Sequence, residues 1–198
     1  MKHLLAGPAA AVLGLSLLTG CAPDRGNASP AAPAGQADAA YPRTVEVPGD
    51  PPQRVTVPAR PTRIAALSPD VAEAAVELAG AGRLAAVPAS AANPSLSSHA
   101  EAMASVPVKL PPGTDPDPEQ IISLKPDLIL LTTRHGGERD AREVLAQAGI
   151  PMIAITNGWR TLEEVERNLT VLGRALDAEA KARDLVAELD RRAAAVAE

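Results

Sequence analysis

The stretch Asp117-Pro118-Glu119-Gln120-Ile121-Ile122-Ser123-Leu124-Lys125-Pro126-Asp127-Leu128-Ile129-Leu130-Leu131 leaves this chain few folds to choose from. Asp117 is a good helix N-cap, because its carboxylate accepts from free N–H groups of the first turn. Pro118 suits the first helical position, where its missing N–H costs nothing. Ile121, Ile122 and Leu124 give the short helix its apolar contacts. Pro126 disfavours helical geometry at Lys125 and ends the helix. Residues 128–131 then form an unbroken apolar run. Such a run fits a parallel strand buried on both faces better than a half-exposed one.

Similar units recur along the chain. Thr44-Val45-Glu46-Val47 and Arg54-Val55-Thr56-Val57 flank a Pro/Gly/Asp turn and read as a β-hairpin. Residues 63–67 read as the first core strand. Ser68-Pro69-Asp70 opens a helix in which Val71, Ala74, Ala75 and Leu78 recur at helical spacing, with Gly80 and Gly82 to close it. Residues 83–87 form a second strand, 88–98 a loop, 99–104 a brief helix and 106–110 a third strand, with 111–116 a rigid loop. After the apolar run, 132–137 is a polar loop, 138–148 a helix stopped by Gly149, and 150–155 a strand. Residues 156–160 form another polar loop. Thr161 and Glu164 have the spacing of a capping box for a helix reaching Leu176. Asp177 is positioned to cap a last helix with Ala182, Leu185, Leu189 and Val196 on one face. Strand–loop–helix repetition predicts an α/β domain: a parallel sheet flanked by helices, with an N-terminal β-hairpin and a long C-terminal helix. Ligands in such sheets sit beyond the carboxyl ends of the strands. Four polar segments are expected to gather there, 68–70, 88–98, 132–137 and 156–160, bringing Ser68, Asp70, Arg134, His135, Trp159 and Arg160 with them.

The N-terminus reads as a targeting segment. Lys2 and His3 form a charged n-region and residues 4–18 an apolar stretch too short and too Gly/Pro-broken for a comfortable membrane span. Leu18-Thr19-Gly20-Cys21 follows, and Cys21 is the only cysteine in the chain. This resembles the lipobox of bacterial lipoproteins, which implies cleavage before Cys21, acylation of its thiol and a lipid anchor on the extracytoplasmic face of the cell membrane. An ordinary secretory signal with a stray cysteine is the alternative. Residues 22–40 are Ala/Pro/Gly/Ser-rich, bury too little to fold, and read as a tether. With a formal net charge of −5 and no basic stripe with interleaved aromatics, nothing supports nucleic-acid binding.

Taken together, Thr44-Val45-Glu46, residues 55–58, 63–73 and 118–129, Gly149-Ile150-Pro151 and residues 161–165 resemble the solute-binding proteins of ABC importers for iron–siderophores, haem and cobalamin. Their two lobes are joined by one long helix. The likeness runs from Tyr41 to Glu198 and implies an N-terminal α/β lobe at 41–176 and a truncated connecting helix at 177–198, the second lobe being absent; the N-terminal reading adds a signal peptide at 1–20 and a tether at 21–40. The likeness also implies a monomeric receptor, without cofactor or catalytic residue, that captures a ferric siderophore and delivers it to permease subunits.

Several residues carry this expectation, each with a plainer reading beside it. Glu119 matches the acidic residue with which this lobe contacts permease arginines; it also suits a helix start, where the dipole favours a carboxylate. Arg134 offers forked contacts to chelate oxygens, or is a solvated loop charge. His135 is read first as solvated. Trp159, the only tryptophan, lies against a ligand face or plugs the domain edge. Ser68 and Asp70 line the cleft or cap the helix, with capping preferred. Direct metal binding draws little support, since His99 and His135 lack zinc-site spacing. Cobalamin's aromatic platforms are missing, with Thr133 where the resemblance places an aromatic. An iron–siderophore is therefore preferred to haem or cobalamin. An enzyme is disfavoured by the lack of a G-x-S-x-G elbow, a phosphate-cradling loop or a metal-ligand motif. A lipoprotein that senses or scaffolds without transport shares all these features.

Overall fold

Residues 41–111, 115–156 and 158–197 are described in the computed structural model of the chain. The signal segment, Cys21 and the tether at 22–40 lie outside the described residues, as do 112–114 and Asn157. Strands β1 (Arg43–Val47) and β2 (Gln53–Val57) pair antiparallel as the expected hairpin. Five further strands form one parallel sheet in the order β5-β4-β3-β6-β7: β3 (Ile64–Ala66), β4 (Leu84–Pro88), β5 (Val108–Leu110), β6 (Leu128–Thr132) and β7 (Met152–Ile155). Helices α1 (Pro69–Ala79), α2 (Ala100–Ala104), α3 (Pro118–Ser123), α4 (Gly136–Ala146), α5 (Leu162–Leu176) and α6 (Glu179–Ala197) complete the order. This is the parallel α/β lobe, with hairpin and long last helix, that the strand–loop–helix pattern predicts.

Strand β6 is buried along its whole length. Its side chains alternate between two cores, as the pleat requires. Leu128 and Leu130 join Ile64, Ala66, Ile153 and Ile155 on the face covered by α1 and α5, where Val45, Val47 and Val57 of the hairpin also pack. Ile129 and Leu131 join Ala65, Ala154, Ile121 of α3 and Leu145 of α4 on the other. Each fully buried side chain of this size contributes roughly 1.5–3 kcal/mol.

The opening stretch behaves as its chemistry dictates. The Asp117 carboxylate accepts from the N–H groups of Glu119 and Gln120. Lys125 leaves the helix at φ +49°, a left-handed conformation costly for a side chain with Cβ. What holds that bend is Arg63, whose guanidinium donates to the carbonyl oxygens of Leu124 (2.7 Å) and Lys125 (3.4 Å). Asp127 accepts from the backbone N–H groups of Thr62 (2.7 Å) and Arg63 (2.9 Å) and from the Thr62 hydroxyl (3.0 Å). The amino ends of β3 and β6 are thereby pinned side by side.

Three local expectations are corrected. Asp177 does not cap α6 through its side chain: it stands at φ +59° as the last cap of α5, and its carboxylate meets Arg43 (2.7 Å) and Arg60 (3.3 Å) instead. Arg43, almost wholly buried, also donates to the Arg174 carbonyl oxygen and to Glu179, so the hairpin grips the α5–α6 elbow. The capping box of α5 is only half formed. Thr161 accepts from the Glu164 N–H, but Glu164 reaches the N–H of Arg160 rather than that of Thr161. Val196 is 89% exposed, because residues 191–196 run past the helices that cover Ala182, Leu185 and Leu189. At the start of α6 the two helices come close: a Cβ on Gly173 would lie 2.5 Å from that of Ala182.

Candidate functional site

From β3 the chain moves outward to β4 and β5, then returns to β6 and moves the other way to β7. The strand order reverses between β3 and β6, and open parallel sheets bind ligands in the crevice at such a switch point. The strands are parallel, so the segments after Leu67, Thr132 and Ile155 all leave from the same end of the sheet.

Ser68 follows β3, buried. Its preferred role as a cap is not what the side chain performs, since Ser68 makes no side-chain cap hydrogen bond. Its hydroxyl accepts from the Thr132 N–H (3.0 Å) and donates to Glu138 Oε1 (3.2 Å) across the switch point. Glu138, 4% exposed, is further satisfied by the Thr132 hydroxyl (3.4 Å) and the His135 N–H (2.9 Å). The His135 ring also faces it, Nδ1 lying 3.1 Å from Oε2. Glu138 thus ties β3, β6 and the first turn of α4 into one buried polar knot. The expected loop at 132–137 is shorter than its composition implies: Thr132 completes β6, and α4 opens at Gly136.

Asp70 accepts from the Val71 N–H (2.8 Å) and pairs with Arg134 at 2.6 Å. Burial pushes the Asp70 carboxyl above the usual range, against the pull of Arg134. The other fork of Arg134 reaches the Gly158 carbonyl oxygen at 3.5 Å. One guanidinium therefore links the first turn of α1, the segment after β6 and the loop after β7. Trp159 sits beside that contact at φ +54°, a strained conformation for an aromatic residue. It packs on the core and walls a groove of about 430 Å³ between α1 and α6, lined by Asp70, Ala74, Leu185 and Leu189 among others. Arg160 is exposed, and its N–H serves Glu164. Glu119 stands apart, exposed in the first turn of α3, which returns the chain from the carboxyl end of β5 to the amino end of β6.

A second cluster extends along the same groove. His99 bridges two carboxylates one turn apart on α1, with Nδ1 2.8 Å from Glu73 and Nε2 2.8 Å from Glu77. Ser97 and Ser98 also donate to Glu73, and Lys181 of α6 reaches Glu77 at 3.1 Å. The Glu73 hydrogen bond, helped by Glu77 and opposed by burial, raises the His99 pKa, so the imidazolium is favoured. Among the described residues, no group of three or more His, Cys, Asp or Glu side chains is placed to hold a metal ion. Ser68, Asp70, Arg134 and His135 are thus brought to one mouth, with Trp159 adjoining it. Glu138 and the His99 cluster went unpredicted. Glu73 and Glu77, four apart on a helix, were the legible half of that signal; the partner from another loop was not.

Residues 64–198 match the family model described as periplasmic binding protein. A periplasmic heme binding protein from Pseudomonas aeruginosa superposes with a TM-score of 0.54 at 26% identity, over 67% of this chain and 43% of that one. The siderophore binding protein BauB, solved with acinetobactin and ferric iron, gives 0.58 at 23% identity, over 75% and 51%. The vitamin B12 binding protein BtuF of Vibrio cholerae gives 0.54 at 21% identity, over 67% and 48%. At the lower identities the likeness is one of fold. This chain covers about half the length of each solved relative. No curated protein matches it by sequence.

Proposed function

The chain belongs to the periplasmic binding protein family, and from that premise we propose that it is the solute-binding part of an ABC importer, lipid-anchored through Cys21 at the extracytoplasmic face. Its family and its solved relatives are binding proteins, not enzymes. In this reading it captures an iron(III)–siderophore complex and hands it to the permease. The observation that carries the proposal is Arg134, which ties the start of α1 to the segments after β6 and β7 beside Trp159. That is a polar mouth with an aromatic wall. Ser68 and Glu138 hold the mouth's floor rigid, Asp70 and Arg134 set its charge, and Arg160 and His135 stand at its exposed edge. Glu119 lies on the helix start best suited to meet a permease arginine; exposed acid–arginine pairs steer and orient docking more than they tighten it.

The test uses Trp159, whose fluorescence no other tryptophan obscures. Titration with ferric hydroxamate and catecholate siderophores, haem and cobalamin is expected to give saturable quenching by a siderophore. A response confined to haem or cobalamin sinks the siderophore reading.

A further inference from the structure

The groove between α1 and α6 has an apolar lining in Ala74, Leu169, Leu185 and Leu189, with Trp159 as a wall. Its acidic side chains are each answered by a cation of the chain itself. Asp70 is paired with Arg134 at 2.6 Å, Glu73 with His99 at 2.8 Å, and Glu77 with both His99 and Lys181. Glu188 takes Arg192 at 2.6 Å, and Arg191 as well. The rim is therefore neutralised from within.

An anionic ligand entering this groove meets four carboxylates. It can recruit Arg134 only by taking it from Asp70, whose side chain is 17% exposed. Arg134 is 38% exposed, so the poorly hydrated partner is Asp70, and taking the guanidinium away leaves that carboxylate uncompensated, which opposes the exchange. Burial already disfavours the Asp70 carboxylate, and stripping Arg134 away deepens that penalty. An electroneutral ligand with an apolar face breaks no pair and covers Trp159 and the leucines.

We propose that this groove selects an electroneutral ferric chelate with an apolar face and discriminates against polyanionic ones. Among iron ligands this points to trihydroxamates, whose three single charges balance ferric iron, rather than tricatecholates, which leave a trianion. The inference rests on the receptor reading above and narrows its ligand.

Equilibrium dialysis of the full chain against a hexadentate ferric trihydroxamate, a hexadentate ferric tricatecholate and haem tests it. The trihydroxamate is expected to bind at least tenfold more tightly than the tricatecholate. Asp70→Asn, which releases Arg134 without changing shape, is expected to shrink that ratio at least tenfold. Equal or tighter binding of the tricatecholate by the unmodified chain overturns the charge preference and leaves the chelate receptor standing. An unchanged ratio in Asp70→Asn overturns the role given to the Asp70–Arg134 pair. Retention of haem with neither chelate bound overturns the siderophore reading and this inference together.

Discussion

Asp127 shows how one carboxylate can fix the relation between two strands. It takes two backbone N–H groups and a hydroxyl from the segment before β3, though it belongs to the entry of β6. Asp127→Ala is expected to cost about 1.5–3 kcal/mol, the range for hydrogen bonds to a charged group. The urea midpoint should fall without a change in slope. His99 carries a pH signature. Its folded pKa is raised from 6.5, so the clamp's contribution is complete below 6.5 and is lost as pH rises through the folded value. Burial would raise the Glu73 pKa, but hydrogen bonds from Ser97, His99 and Ser98 outweigh it, so the net shift is downward from 4.5. The Glu77 pKa is lowered from 4.5 as well, chiefly by Lys181 and His99. Their contribution is present above 4.5 and is lost as pH falls through the folded values. Thermal midpoints should therefore peak between about pH 4.5 and 6.5 and decline on both sides. His99→Gln should flatten the alkaline limb, as circular dichroism melts across that range would show. A flat wild-type profile would contradict the clamp.

Among the elements, β6 and its preceding helix were legible because their signals are local: a cap, a proline stop and a four-residue apolar run. The α5–α6 elbow was not, since it depends on contacts remote in sequence. Asp177 looked like an N-cap, yet Arg43 of β1 claims its carboxylate from the other end of the lobe. Ser68 looked like a cap for the same reason, and Glu138 claims it. The site followed this rule. Its loops could be placed from the strand pattern, but the Arg134–Asp70 pairing that sets its charge required the fold. The elbow also makes a prediction that propensity alone would reverse. Alanine is the better helix former by about 1 kcal/mol. Gly173→Ala should nonetheless destabilise the chain by about 1–3 kcal/mol, because the added methyl meets Ala182. Ala182→Gly in the same chain should recover most of the loss, and a double-mutant cycle measures that coupling.

On the scale of the whole molecule, our proposal puts recognition and anchoring on separate stretches of sequence. No described helix is long and apolar enough to cross a membrane, so in our proposal attachment falls to the lipid on Cys21. Cys21→Ser is expected to move the protein from the membrane fraction to the soluble one and to abolish palmitate labelling; continued membrane association would count against the anchor. Helix α6 adds a mechanical property. Its root is clamped by Arg43 at Glu179 and by Glu77 at Lys181, while its final turns stand clear of the lobe. Of its length, about 28 Å at 1.5 Å per residue, the part up to Leu189 lies on the lobe, where Leu185, Val186 and Leu189 pack against the core. Because Leu185 and Leu189 also line the groove, any tilt of α6 about that clamp must repack the groove's own wall, which couples the direction of the helix to whatever fills the groove.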